Sequence, residues 1–76
     1  MNEKYVIHFK WDEESSVWIA LSDDVPGLVL EHGSLDALIE RVKVTVPELL
    51  LLNSKELTNA ELYYLAERHE RVPVYG

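Results

Sequence analysis

Val17–Leu50 reads VWIALSDDVPGLVLEHGSLDALIERVKVTVPELL, and the order of signals within it sets the architecture. Val17–Leu21 is an apolar run short enough to be a strand. Val17, Ile19 and Leu21 point one way and Trp18 and Ala20 the other, so both faces of that strand need cover. Ser22–Gly27 follows as a turn. Pro26 presets φ near −65° at the second position, and Gly27 accepts the positive φ that a type II turn requires at the third. Asp23 and Asp24 are suited to bonding nearby backbone amides and shaping this loop. Leu28–His32 is a third strand, antiparallel to the second. Ser34 is a good N-cap, and Asp36 lies in the first helical turn, where the macrodipole favours negative charge. Leu35, Leu38, Ile39, Val42, Val46 and Leu49 then recur at three- and four-residue steps as one apolar stripe, with Asp36, Glu40 and Lys43 on the other side. Pro47 falls inside this pattern and predicts a kink or a restarted turn, with 47–52 finishing the helical stretch.

Upstream, Tyr5, Ile7, Phe9 and Trp11 alternate with Val6, His8 and Lys10, the period of a half-buried strand. The segment 12–16 holds no apolar residue and connects it to Val17. Downstream, 53–59 reads as a connection, and the signals beyond it conflict. Thr58-x-x-Glu61 resembles a capping box and 60–70 has high helix propensity. Leu62–Leu65 is nevertheless a dense apolar and aromatic run, and Val72-Pro73-Val74-Tyr75 is β-prone with an edge-strand proline.

VWIALSDDVPGL, followed by SLDALIERV and VPELL and preceded by WDEES at 11–15, resembles the short, single-domain form of the HicB-like antitoxin family, often described only as a domain of unknown function. The resemblance covers the first two-thirds of the chain and fades after Asn53. It implies a fourth strand at Leu62–Val74 and a partial ribonuclease-H-like sheet of order 3-2-1-4. The fold class expected is therefore α+β: a β-β-β-α-β two-layer sandwich, mostly antiparallel, with one helix on one face. A right-handed crossover would return the last strand parallel to the first. The whole of 1–76 reads as a single HicB-like domain. The longer antitoxins of the family add a ribbon-helix-helix or helix-turn-helix domain that binds operator DNA, and no such separate DNA-binding domain is expected in 1–76.

Composition narrows the function. A chain of 76 residues buries only about 60% of its unfolded surface, and without cysteine it has neither disulfides nor thiolate-held metal to add stability. A partner subunit is the natural remaining source, which favours a homodimer. Fourteen acids against seven Lys and Arg leave a net charge of −7, a balance unsuited to neutralising phosphates, so direct nucleic-acid binding by this chain alone is not expected. From Trp11 to Glu40 there are eight acids and no Lys or Arg, which points to an electropositive partner. No signal-peptide pattern opens the chain, and apolar runs such as Val17–Leu21 and Leu49–Leu52 are far short of the roughly 20 residues that span a membrane. A cytoplasmic protein without membrane contact is the expectation.

No catalytic constellation emerges, and an enzyme is not expected. A two-metal nuclease needs carboxylates converging from adjacent strands, whereas the acids here cluster in loops around 12–14 and 23–24, where solvated side chains are the simpler reading. His8, His32 and His69 are too widely spaced for a metal site. Ser15, Ser16, Ser22, Ser34 and Ser54 lack a nucleophile-elbow context, and Gly27 and Gly33 form no phosphate loop. No cofactor is implied. Trp11, Trp18, Tyr63 and Tyr64 are either core or interface anchors. Trp18, Ala20 and Tyr64 are assigned to a dimer interface on a sheet face that the helix leaves open, although a one-residue register slip would exchange the faces.

Two functional readings follow. The resemblance implies an antitoxin-like inhibitor of a small basic HicA-like toxin that cleaves mRNA with a catalytic histidine. Asp12, Glu13, Asp23, Asp24 and Trp18 are the residues expected to meet it, charge speeding encounter and apolar anchors setting residence time. The alternative is a homodimeric scaffold or small-ligand-binding module without a toxin, its acids serving solubility.

Overall fold

The computed structural model describes residues 2–52 and 59–75. The elements run β1 (Asn2–Asp12), β2 (Val17–Leu21), β3 (Val29–His32), α1 (Leu35–Leu52) and β4 (Asn59–Glu67). One four-stranded sheet has the order β3-β2-β1-β4. β1 is antiparallel to β2, β2 is antiparallel to β3, and β4 returns parallel to β1. With α1 laid on one face, this is the two-layer α+β sandwich expected.

The core lies between that sheet face and the helix. Tyr5, Ile7 and Phe9 of β1 alternate inward with Ala20 of β2, and Leu38, Val42, Val46 and Leu50 descend from α1; all are buried. Leu35, Ile39 and Leu49 flank the helical stripe and pack against this cluster. Ser34 caps the helix: its hydroxyl accepts the Ala37 N–H at 3.3 Å, and its carbonyl accepts the first helical bond from Leu38 at 3.0 Å. His32 Nδ1 in turn accepts the Ser34 N–H at 2.9 Å. The helix does not restart at Pro47 but runs through to Leu52.

The turn before β3 is built as its residues require. Leu28 donates to the Val25 carbonyl at 3.2 Å across Pro26–Gly27, and Gly27 has φ +87°. Val25 and Leu28 are both buried, so the turn is bolted to the core at each end. Leu28 therefore closes the turn, and β3 begins one residue later than expected.

β2 pairs with β1 only from His8 onward, so among the described residues no strand lies beside the earlier part of that β1 edge. Ser22 and Asp24 take over there. Ser22 Oγ donates to the Val6 carbonyl at 2.7 Å, and Asp24 Oδ2 accepts the Val6 N–H at 2.8 Å. The Asp24 N–H closes the arrangement on Ser22 Oγ at 3.0 Å. Replacing a charged acceptor of a backbone amide removes a bond stronger than a neutral one. Asp24→Ala is expected to lower stability by about 1.5–3 kcal/mol in urea unfolding, and Asp23→Ala, at a neighbouring exposed site, by under about 0.5 kcal/mol. Equal losses at the two positions would show that loop acidity, not the Val6 bond, matters.

Two expected boundaries need correction. β1 extends further than its apolar alternation and takes in Asp12. β4 begins at Asn59 and ends at Glu67, where Leu62–Val74 was expected. Of the expected connection over 53–59, residues 53–58, with Ser54 and Thr58, lie outside the described residues, and Asn59 already belongs to β4. Residues 68–75 belong to no regular element, and Val72, Val74 and Tyr75 are 68–91% exposed. The radius of gyration is 15.0 Å, well above the roughly 11 Å of a compact chain of this length. The long axis measures 57 Å. About 3.3 Å per residue over 59–75 gives nearly the same length, so the segment after β4 continues outward as an extended arm.

Candidate functional site: the open sheet face

Register decides which side chains share a face. Phe9 opposes Ala20 and Trp11 opposes Trp18, while Tyr5, Ile7 and Phe9 lie beside Leu62, Tyr64 and Ala66. All of these therefore lie on the helix side. The expected dimer interface is corrected accordingly: Ala20 has no exposed surface, and Trp18 is half-buried against the core beneath the helix. Tyr64 stands at the margin of the same face, edge-on to Phe9 with ring centroids 5.5 Å apart. Both faces of β2 are apolar, so its own residues do not reveal which one the helix takes. The small Ala20 opposite the large Phe9 does, because it leaves room for the helix to approach.

The open face belongs to the other set of side chains. Val29, Leu21, His8 and Leu65 form one row across all four strands. Glu31, Ile19, Lys10 and Glu67 form the next, with acids at both sheet edges. Val6 beside Tyr63 continues the apolar band, and Lys4 beside Glu61 borders it, the Lys4 ammonium 5.8 Å from the Tyr63 ring centroid. Val29, Tyr63 and Leu65 are 46–68% exposed, whereas the central Val6, Ile19 and Leu21 are half-covered by their neighbours. The result is an apolar band broken by His8 and Lys10, with Lys4 and several carboxylates at its margins. It supplies a partner with desolvation at the centre and charge at the rim.

The five residues expected to meet a partner do not form one patch. Asp12, Glu13 and Trp18 sit at the β1–β2 end. Asp24 sits at the other, bonded to Val6, about 20 Å along the strand from Asp12 at 3.3 Å per residue, and Asp23 beside it lines a shallow hollow with His8, Lys10 and Leu21. Asp24 is engaged by Val6, and Asp12 Oδ1 accepts the Glu14 N–H at 3.1 Å within the hairpin loop. Ser16 completes that loop in the left-handed region at φ 53°.

Near Trp18 the structure assembles a cluster that the sequence did not announce. Trp11 and Trp18 meet edge-to-face with centroids 5.5 Å apart. The Arg68 guanidinium lies 3.9 Å from the Trp11 ring centroid, and the Trp11 indole N–H donates to Glu13 Oε2 at 2.7 Å. This cation–π stack fixes the root of the arm against β1. Only the parallel pairing of β4 with β1 brings Arg68 to Trp11, and a period-two continuation beyond Glu67 was the one available hint.

Chemistry of other kinds is sparse. Among the described residues no group of three or more His, Cys, Asp or Glu side chains could hold a metal. Burial pushes the Tyr64 hydroxyl pKa up, Lys43 opposing and Glu40 assisting. Its contribution to stability is thus present below about pH 10, the ordinary tyrosine value, and is lost as pH rises through the higher folded value. Among the described residues no helix is long and apolar enough to cross a membrane.

Comparison with known proteins places this platform in a family. A family model described as Domain of unknown function (DUF1902) matches residues 4–76. The chain belongs to the DUF1902 family. Among solved structures, it is similar to a hypothetical protein, TTHA1013, from the extremely thermophilic bacterium Thermus thermophilus. The two are 41% identical with a TM-score of 0.76, over 91% of this chain and 99% of the other. No curated protein matches. The DUF1902 domain thus spans both the open sheet face and the arm.

Proposed function

We propose that this DUF1902 chain is a protein-binding module that neutralises a small basic partner, an RNA-cleaving toxin of the HicA-like kind, in the cytoplasm. The observation that supports this most directly is the open sheet face, an apolar band broken by His8 and Lys10, in which the acids Glu31, Glu61, Glu67 and Asp12 outnumber the bases Lys4 and Lys10. A surface of that design suits a protein whose own RNA-binding face is basic. The acids compete with phosphate for its cations and steer encounter, while Leu21, Val29 and Leu65 hold the complex once formed. The chain binds and performs no chemistry itself, and its net charge of −7 opposes direct contact with nucleic acid.

The test is co-expression with a small basic protein encoded beside this chain. The expected result is rescue of growth and a complex that survives gel filtration. Leu21→Asp, on the open face, should weaken that complex by about 30-fold or more in calorimetry, with circular dichroism unchanged. Neither rescue nor complex would remove the antitoxin reading, and a complex indifferent to Leu21→Asp would remove the open face as its site.

A further inference from the structure

Among the described residues, β4 leaves its outer edge unpaired over nine positions, NAELYYLAE, without the lysines or prolines that commonly protect such edges. Beyond it the arm continues outward, anchored at Arg68 and bare from Val72 to Tyr75. Over 68–75 the arm is thus an exposed segment in no regular element, and over 59–67 β4 is a strand with one edge unfilled.

We infer that the occupant of this edge is the arm of a second copy of the chain. The two β4–arm segments run antiparallel about a twofold axis at Glu67 and join two four-stranded sheets into one. This arrangement is isologous, as a twofold requires, because each copy contributes the same edge and the same arm. In that register Val72 of one copy lies beside Leu62 of the other, and Val74 beside Ala60. Arg68, on the helix side against Trp11, sets the phase. With alternation continued, Val72 and Val74 fall on the side where Leu62 and Tyr64 are incompletely covered by the helix.

Charge agrees with the pairing. β4 contains Glu61 and Glu67 and no base, while the arm carries Arg68 and Arg71 against Glu70, which pairs with Arg68 at 3.3 Å, so antiparallel alignment sets a net basic segment of one copy over the acidic strand of the other, opposed only where the two Glu67 carboxylates meet on the axis. Pro73 is compatible because one side of the arm lies beyond the end of β1 and needs no donor. The inference goes beyond the partner reading and is independent of it, since it uses the sheet edge and not the open face.

The chain lacks cysteine, which permits a direct test. On a twofold at Glu67 the two side chains at that position face each other, within the 4.5–5.5 Å Cβ separation of an antiparallel pair, close enough to be bridged after a small adjustment. Glu67→Cys is expected to give a disulfide-linked dimer under mild oxidation, and Glu31→Cys, on the opposite sheet edge, is not. Sedimentation of the unmodified chain at micromolar concentration should show a dimer. Val72→Asp with Val74→Asp should raise its dissociation constant at least about 30-fold while leaving the far-ultraviolet spectrum intact, since both side chains are exposed in the single chain. A monomer throughout the concentration range would overturn the inference, as would a dimer whose position-67 thiols stay unlinked.

Discussion

Phe9→Ala is expected to remove about 3–5 kcal/mol of stability, at the upper end of that range. Phe9 is 1% exposed, and its two cross-strand neighbours, Ala20 and Ala66, are both alanines. Its ring therefore supplies most of the bulk of that row of the sheet, with the Tyr64 ring edge-on to it and the buried side chains of α1 in the same core cluster. When a buried side chain is deleted, the cost depends on how far the surroundings relax into the gap, and two methyl groups cannot reach into it. A domain of 76 residues has a total stability of about 4–11 kcal/mol, so the variant is left marginal. Urea unfolding would show a midpoint near zero denaturant, or a loss of cooperativity. A cost below about 1.5 kcal/mol would mean that α1 settles onto the sheet after truncation, contrary to the close packing of helix and sheet.

Pro47→Ala is expected to act in the opposite direction, stabilising the chain by about 1–3 kcal/mol. Pro47 sits inside α1 and is exposed. It has no N–H to give the Lys43 carbonyl, and its ring crowds that group, a defect of about 3 kcal/mol in a helix interior. Part of the gain is offset because alanine also frees the unfolded chain. At about 4–8 °C per kcal/mol for a domain of this size, the melting temperature should rise by roughly 5–20 °C. Calorimetry would decide. An unchanged or lower value would show that the ring holds a bend that positions Leu50 in the core.

The elements most legible in the sequence were those written in local chemistry. Pro26–Gly27, the Ser34 cap and the stripe from Leu35 to Leu49 each depend on neighbours a few positions away, and each took its expected form. Leu50 was missed from the stripe because Leu49–Leu52 is apolar throughout and its phase is ambiguous. The end of β4 was misplaced for a different reason. Val72–Tyr75 has strand propensity, but propensity does not supply a neighbouring strand, and β1 ends at Asp12. The candidate site depended on register. β2 is apolar on both sides, so its own residues allow Trp18 and Ala20 on either face; register puts them, with Tyr64 of β4, on the helix side. Asp12 and Asp24 are close in sequence, yet the five residues of β2 between them carry their loops to opposite ends of the sheet.

The pairing of β1 with β4 has a kinetic consequence. Asn2 is matched with Asn59 and Lys10 with Glu67, a separation of 57 positions along the whole ladder. Contacts that distant form slowly, because a large loop must close before any of them is rewarded. The hairpin and the helix can assemble early from near neighbours, while one flank of β1 waits as a bare hydrogen-bonding edge. During synthesis that waiting interval is when the nascent domain is most open to strand addition by a stranger, and the arrival of β4 ends it.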